Sequence, residues 1–121
     1  MSNSGSPGVE DKYAGLRGLK WSQEEKAIAR RAFERALHLE LEEVMGKARK
    51  MAGKGKEPDD LWRLEAYLTR RRREIDREYD YRYSVLHSVF GYLIRKGRLR
   101  EKDLDGLGED KLEFIRKIVA S

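Results

Sequence analysis

The sequence contains no cysteine, and only two of its 121 residues are proline. Disulfides, thiolate metal sites and cysteine nucleophiles are therefore excluded. The longest apolar stretch, VLHSVFGYLI from Val85 to Ile94, is about half as long as the ~20 residues that a membrane-spanning helix needs. The N-terminal residues MSNSGSPGVEDKYAG show no signal-peptide hydrophobic region. We therefore expect a cytoplasmic protein without a membrane segment.

Charged residues are as frequent as apolar ones, at 40% and 39% of the chain. Typical globular domains contain about 25% charged and about 45–50% apolar residues, so this chain has few side chains with which to fill a core. The abundance of Glu, Lys, Arg, Leu and Ala favours long exposed helices that complete their apolar burial against a second copy. The net charge of +5 comes from 27 basic and 22 acidic side chains, which indicates a surface of mixed charge.

Apolar residues recur at helical spacing in two long segments and one short one, and no strand pattern occurs. Ser22 and Glu25 form a capping box that begins the first helix, which is predicted to end near Gly53. Pro58 suits the first turn of a second helix, whose apolar spacing continues to about Lys96 and is compatible with a bend near Tyr79 to Tyr83. The predicted inward positions are Phe33, Leu37, Leu41, Val44, Ala48 and Met51 in the first helix, and Leu112, Ile115, Ile118 and Val119 in the last. The predicted fold class is all-α.

The helices are predicted to form one domain over residues 21–121, preceded by a flexible tail over residues 1–20. The tail is rich in Gly and Ser and shows no sustained apolar period. Because a short turn joins the first two helices, we expect them to run antiparallel as a long hairpin, the stalk, over about residues 21–78. A small helical head is expected over about residues 79–121.

Four consecutive arginines, Arg70–Arg73, begin a segment in which both signs of charge alternate. Six arginines and four acidic residues lie between Arg70 and Arg82. The ion pairs expected on the same helix are Arg70–Glu74 and Arg72–Asp76, four positions apart, and Arg73–Asp76 and Arg77–Asp80, three apart. The acidic residues expected opposite the run across the hairpin are Glu40, Glu42 and Glu43. Most of the run is therefore predicted to be a paired helix face. The arginines and the tyrosines around them leave a basic nucleic-acid-binding helix as an alternative.

No pattern of catalytic or metal-binding residues is present. His38 and His87 lie on different helices and lack the spacing of metal ligands. Glycine motifs for phosphate and the turn that carries a serine nucleophile are missing as well. We therefore expect no enzyme activity, no metal and no cofactor.

Trp62 is an unusual residue for so charged a helix. Leu61 and Leu64 supply the inward stripe beside it, so Trp62 is expected to project sideways from a stalk only two helices thick. Tryptophan is enriched where chains meet, because one indole buries a large area. Trp62 is therefore predicted to contact a second copy of the chain.

The segment PDDLWRLEAYLTRRRREIDREYDYRYSV resembles the central signature of the fluorescence recovery protein family of cyanobacterial photoprotection. The segment WSQEEKAIARRAFERALHLELEEV is similar to the first helix of that family, and the similarity runs from about Trp21 to Val119. The resemblance implies an all-helical homodimer with a stalk and a small head. It also implies that the chain binds the light-activated orange carotenoid protein, chiefly through that protein's C-terminal domain, and accelerates its return to the resting orange form.

The resemblance also assigns roles to individual positions. Trp62 matches a tryptophan at the dimer interface, and Arg72 matches an arginine associated with both dimer formation and partner contact. Leu61 and Glu65 are predicted to belong to the same interface. Glu65 and Ala66 stand where the family pattern has His and Asp. The residues predicted to bind the partner are Arg72, Ser88 and Phe114, the last two at head positions where the family often has an aromatic residue and a lysine. The same fold serving an unrelated protein partner is a further alternative.

Overall fold

The structure is a computed structural model, and it describes residues 19–121. The flexible tail predicted over residues 1–20 lies outside that part, except for Leu19 and Lys20. Within residues 19–121 every regular element is helical. The elements are α1 (Gln23–Lys54), α2 (Pro58–Glu78), α3 (Leu86–Lys96), a 3₁₀ helix (Glu101–Leu104) and α4 (Glu109–Ala120). The all-α prediction is confirmed.

The predicted capping box begins α1, and a second set of capping contacts begins α2. The Ser22 hydroxyl accepts from the Glu25 N–H at 3.1 Å, and the Glu25 carboxylate accepts from the Ser22 N–H at 2.9 Å. At the start of α2, the Asp60 carboxylate accepts from the N–H groups of Lys56 and Glu57 at 3.0 and 3.1 Å. At the start of each helix, these side chains accept from backbone N–H groups that have no partner within the helix, which fixes where the helix begins.

α1 and α2 form the predicted antiparallel hairpin. The pairs in contact, from the turn outward, are Lys47 with Tyr67, Glu40 with Arg71 and Ala36 with Tyr79. Residue numbers fall along α1 while they rise along α2 and just beyond it, as an antiparallel pair requires. Val44 and Tyr67 are the only buried apolar residues between residues 37 and 78. Leu41 and Leu61, both predicted to face inward, are instead 42% and 58% exposed. This part of the hairpin therefore has almost no core of its own.

The second helix ends at Glu78, so the prediction of one helical phase to Lys96 is wrong, and the interruption falls at the bend considered near Tyr79 to Tyr83. A link over residues 79–85 follows, in which alternate tyrosines point to the same side. The rings of Tyr79 and Tyr81 meet the Phe33 ring edge-on, at 5.6 and 4.9 Å between centroids, and the Tyr83 ring lies 5.5 Å from that of Trp21. Alternation is the period of an extended chain, and packing three partly buried aromatic rings against the core favours it over another turn of helix.

α3, α4 and the first half of α1 enclose one core. Its members include Ala29, Phe33 and Ala36 from α1, Leu86, Phe90 and Leu93 from α3, Leu104, and Ile115 from α4. α3 and α4 approach so closely that a Cβ at Gly91 would lie 2.5 Å from the Ile118 Cβ. Residues 21–36 thus contribute to this core, whereas the division made from the sequence counted them with the stalk. We use "head" for residues 21–36 and 79–121, and "stalk" for residues 37–78.

Candidate interaction surfaces of the stalk and head

One face of α2 is exposed to solvent between Leu61 and Arg72. Leu61, Glu65, Leu68 and Arg72 recur at steps of four, three and four, so they lie on one helix face. All four are exposed to solvent. Trp62 lies beside the stripe and is 62% exposed. The four residues predicted at a dimer interface are therefore all accessible on α2.

α1 adds apolar surface to the stalk. Leu41 and Met45, four positions apart on one face of α1, are both exposed, the second by 53%. With the α2 stripe and Trp62 they make a stalk with more exposed than buried apolar side chains. Monomeric proteins rarely leave large apolar patches open, and such patches mark interaction sites. We call the residues Leu41, Met45, Leu61, Trp62, Glu65, Leu68 and Arg72 the stalk face.

The four arginines of Arg70–Arg73 have different environments. Arg71 is buried, and its guanidinium binds Glu40 across the hairpin and Glu74 at 2.7 Å on its own helix. Arg70 faces Glu74 at 3.9 Å, as predicted. Arg72 and Arg73 make no ion pair within residues 19–121, so the pairs predicted between them and Asp76 are wrong. Asp80 pairs with Arg82 at 2.6 Å and not with Arg77 as predicted. The run is thus paired across the hairpin through one arginine. The guanidinium of Arg72, on the stalk face, has no acidic partner in the part of the chain that the structure describes.

The predicted acidic partners of the run also differ. Glu40 and Glu43 both lie near Arg71, at hydrogen-bond distance and at 3.6 Å respectively. Glu42 instead faces His38 on its own helix at 3.5 Å. A helix presents one residue in three or four to its neighbour, so Glu40 and Glu43 can face α2 while Glu42 points away.

Glu40 is fully buried at the junction of stalk and head. Its carboxylate accepts from Tyr79 Oη at 2.9 Å and Arg98 Nε at 3.0 Å, and Lys96 Nζ lies 3.1 Å away. Burial alone would raise the pKa of Glu40, but hydrogen bonds from Arg98, Arg71, Lys96 and Tyr79 outweigh it and lower the pKa to about 2. Glu40 is therefore an anion held by several donors.

The sequence placed Glu40 opposite the arginine run, but it did not identify Glu40 as buried or Tyr79, Lys96 and Arg98 as its further donors. The available signal was the position of Glu40 in the series Phe33, Ala36, Glu40 and Val44, which is the buried face of α1. A carboxylate on such a face requires partners. Lys96 and Arg98 supply them from a distant part of the chain, and no local pattern identifies them.

A groove of about 490 Å³ lies between the end of α2 and the outer face of α3. We call it the head groove, although its α2 side is formed by the last residues of the stalk. Its apolar lining is formed by Val85, Val89, Tyr92 and Leu93, and Ser88 lies among them. The charged side chains that line it are Arg77, Glu78, Asp80 and Lys96. Tyr92 is 58% exposed, so a large aromatic surface is accessible at this groove. Ser88, predicted to bind a partner, is thus part of a concave apolar surface.

Phe114 is not part of the groove lining. It is half-buried on α4, where its ring lies 5.6 Å from that of His87 and Lys117 Nζ lies 5.5 Å from its centre. His87 is buried, and neither of its ring nitrogens has a hydrogen-bond partner among the described residues. Burial lowers the pKa of His87. The structure therefore separates two residues predicted at one partner site, Ser88 in the groove and Phe114 on the neighbouring helix.

Residues 19–121 show neither a metal site nor a membrane segment. No group of His, Asp or Glu side chains there is arranged to hold a metal ion. No helix there is long and apolar enough to cross a membrane. The stalk face and the head groove are the surfaces on which a functional interpretation can be based.

The model of one protein family matches residues 21–119, a range that includes both surfaces, and its description is "Photoprotection regulator fluorescence recovery protein". The chain belongs to the fluorescence recovery protein family. The resemblance seen in the sequence is confirmed, and the family gives the function class, regulation of photoprotection.

Individual relatives agree with the family match. A curated fluorescence recovery protein from Synechocystis sp. is 35% identical over 98 residues, which are 81% of this chain and 90% of that relative. The solved structure of the Fremyella diplosiphon fluorescence recovery protein has a TM-score of 0.80 at 39% identity. That of the Synechocystis protein has a TM-score of 0.80 at 33% identity. In both cases the similarity covers 84% of this chain and 100% of the other.

Proposed function

We propose that this chain is a homodimeric, non-enzymatic regulator that binds the light-activated orange carotenoid protein and accelerates its return to the resting orange form. The observation that supports this most is the family match over residues 21–119, which includes the stalk face and the head groove. The protein would act by binding one conformational state of its partner more tightly and shifting the equilibrium. No bond needs to be made or broken by its side chains.

The homodimer is proposed from the stalk face. Leu61 and Trp62 are more than half exposed on a stalk that buries only Val44 and Tyr67 as apolar side chains. Covering apolar area contributes roughly 25 cal/mol per Å², and a second copy offers the same apolar stripe. Arg72 and Glu65, opposite charges on this stripe, can pair between copies, since a two-fold interface brings one patch against itself.

The partner contact is proposed to include Arg72 and the head groove around Ser88. Arg72 presents a guanidinium without an ion pair in the described part of the chain, and Arg77 adds a second one on the groove lining. The groove offers apolar surface from Val89 and Tyr92. Ser88 is small, which leaves this surface open. Phe114 is proposed to act next to this contact, on the neighbouring helix.

The test is the dark reversion of a photoactivated orange carotenoid protein, followed by its visible absorbance. Added protein should accelerate reversion and form a complex with the activated form in preference to the resting form. A ligand with equal affinity for both states would shift nothing. Arg72→Ala should reduce the acceleration. Arg73→Ala is the matched control, because Arg73 is the next residue and is also exposed.

Two results would contradict the proposal. If the wild-type chain gave neither acceleration nor a complex over a wide concentration range, the family fold would serve an unrelated partner here. If Arg72→Ala left both the dimer and the reversion rate unchanged, the role given to Arg72 would be wrong.

A further inference from the structure

We infer that Glu40 is a positioning residue for the head groove, because it holds the end of α2 and the end of α3 against α1. The part of this inference that concerns partner binding rests on the proposed function. The part that concerns groove geometry does not depend on it.

The donors to Glu40 come from separate segments. They are Arg71 in α2, Tyr79 in the link, Lys96 in the last turn of α3 and Arg98 just after α3. α1 is one continuous helix through stalk and head, so a contact to its middle is a contact to the rigid axis of the molecule. A single buried carboxylate therefore holds α2, the link and the end of α3 against this axis.

Lys96 connects this cluster to the groove. Its ammonium lies 3.1 Å from Glu40 and 2.7 Å from Glu78 at the end of α2, and both Lys96 and Glu78 line the groove. The Lys96–Glu78 pair thus joins the two sides of the groove, and Glu40 holds Lys96 in place to make it. Glu40 itself does not touch the groove, so it acts on the groove through Lys96.

Other acidic residues nearby are poor substitutes for Glu40. Glu43 pairs with Arg98 at 2.7 Å, but its side chain is 53% exposed. Exposed pairs contribute little, because water solvates both charges. Without the charge of Glu40, the cations of Arg71, Lys96 and Arg98 would face one another at the junction with only such partly exposed acids beside them. Their repulsion would move the end of α3 away from α2 and alter the groove.

The absence of cysteine allows the groove width to be measured with two introduced labels. Asp76→Cys on α2 and Arg95→Cys on α3 place spin labels at exposed positions on the two sides of the groove. Double electron–electron resonance then gives the distance, with excess unlabelled protein added so that labels in different copies do not contribute. We expect one narrow distribution for the parent protein and a broader or displaced one for Glu40→Gln.

Glu42→Gln is the matched control, because it makes the same chemical change two residues away on the exposed face of α1. It should leave the distribution narrow. Tyr79→Phe is a second test variant, which removes one hydrogen bond to Glu40 and keeps the ring that packs against Phe33. If Glu40→Gln loses its helical circular dichroism, a broadened distribution in Tyr79→Phe still supports the inference. Unchanged narrow distributions in the folded variants would overturn it.

The functional test measures two properties of Glu40→Gln, its dimerisation and its acceleration of dark reversion. Glu40→Gln should remain dimeric by sedimentation, because Glu40 is not on the stalk face. It should nevertheless accelerate dark reversion at least about fivefold less than the parent protein, which is the lower end of the usual range of coupling between sites. Equal acceleration by Glu40→Gln and Glu42→Gln would contradict the effect on partner binding. If the parent protein itself gave no acceleration, the proposed function would fail, and the distance measurement would still decide the role of Glu40 in the groove.

Discussion

Lys111 of α4 and Glu25 of α1 form a buried ion pair, with 3.0 Å between Nζ and Oε1. Lys111 also donates to the backbone carbonyl of Lys20, and its ammonium lies 5.4 Å from the centre of the Trp21 ring. The other oxygen of Glu25 accepts from the Gly108 N–H at 2.6 Å. One pair thus ties the start of α1 to the start of the last helix.

Lys111→Met should destabilise the protein, because it leaves the Glu25 charge buried without its cation. Removing one partner of a buried pair typically costs about 3–5 kcal/mol. The backbone donors Ser22 and Gly108 remain, so we expect about 3 kcal/mol, near the lower end of that range. Urea denaturation followed by circular dichroism measures it. Lys117→Met is the control, because Lys117 is exposed on the same helix. If Lys111→Met lost no more unfolding free energy than this control, the ion pair would be dispensable.

Trp62→Glu should weaken the proposed dimer. An interfacial tryptophan commonly carries about 2 kcal/mol or more of binding free energy, and a buried carboxylate adds a desolvation cost. Sedimentation over a concentration series measures the dissociation constant. Tyr92→Glu is the control, since Tyr92 is similarly exposed but lies in the head groove. A parent protein that sediments as a monomer at micromolar concentration would refute the dimer.

Much of the local structure was predictable from the sequence, because its causes lie within a few residues. The capping box of Ser22 and Glu25 is local, and so is the apolar spacing that placed Phe33 and Val44 in the interior. The end of α2 was not predictable in this way. Tyr79 and Tyr83 fit a helical spacing as well as an extended one, and the choice depends on Phe33 and Trp21, which lie far away in the chain.

The two interaction surfaces also differ in whether their causes are local in the sequence. That Leu61, Glu65, Leu68 and Arg72 share one helix face follows from helical periodicity once α2 is assigned, but the exposure of this face does not, because Leu61 was predicted to face inward. The head groove requires the arrangement of α2 against α3, and the selection of Arg71 within the arginine run requires the facing position of Glu40. Both are properties of packing between segments that are distant in sequence.

His87 should make the head less stable as the pH falls from 7 to 5. Burial lowers the pKa of His87 below its ordinary value of 6.5, so the unfolded chain binds a proton before the folded one does. Stability is therefore lost as the pH drops below about 6.5, with a slope of at most about 1.4 kcal/mol per pH unit for one proton. Urea denaturation at a series of pH values measures this slope.

His87→Leu is the variant that isolates this effect. It removes the proton site and keeps an apolar side chain against Phe114, so the slope between pH 7 and 5 should flatten. The loss at lower pH should remain, because the pKa of Glu40 is about 2 in the folded protein against 4.5 ordinarily. A carboxylate of lowered pKa contributes stability above about pH 4.5 that disappears as the pH falls toward 2. An unchanged slope above pH 5 in His87→Leu would exclude His87 as its source.

Arg71→Ala should reduce folding stability and Arg72→Ala should reduce binding, although the two residues are adjacent and chemically identical. Arg71 is buried against Glu40, so its removal should cost about 3 kcal/mol of folding free energy. Arg72 is exposed on the stalk face, so its removal should change stability by no more than about 0.5 kcal/mol while weakening the dimer and partner binding. Denaturation and sedimentation of both variants separate the two roles. Duplex DNA binding with a steep salt dependence that Arg72→Ala reduces would instead favour the nucleic-acid alternative.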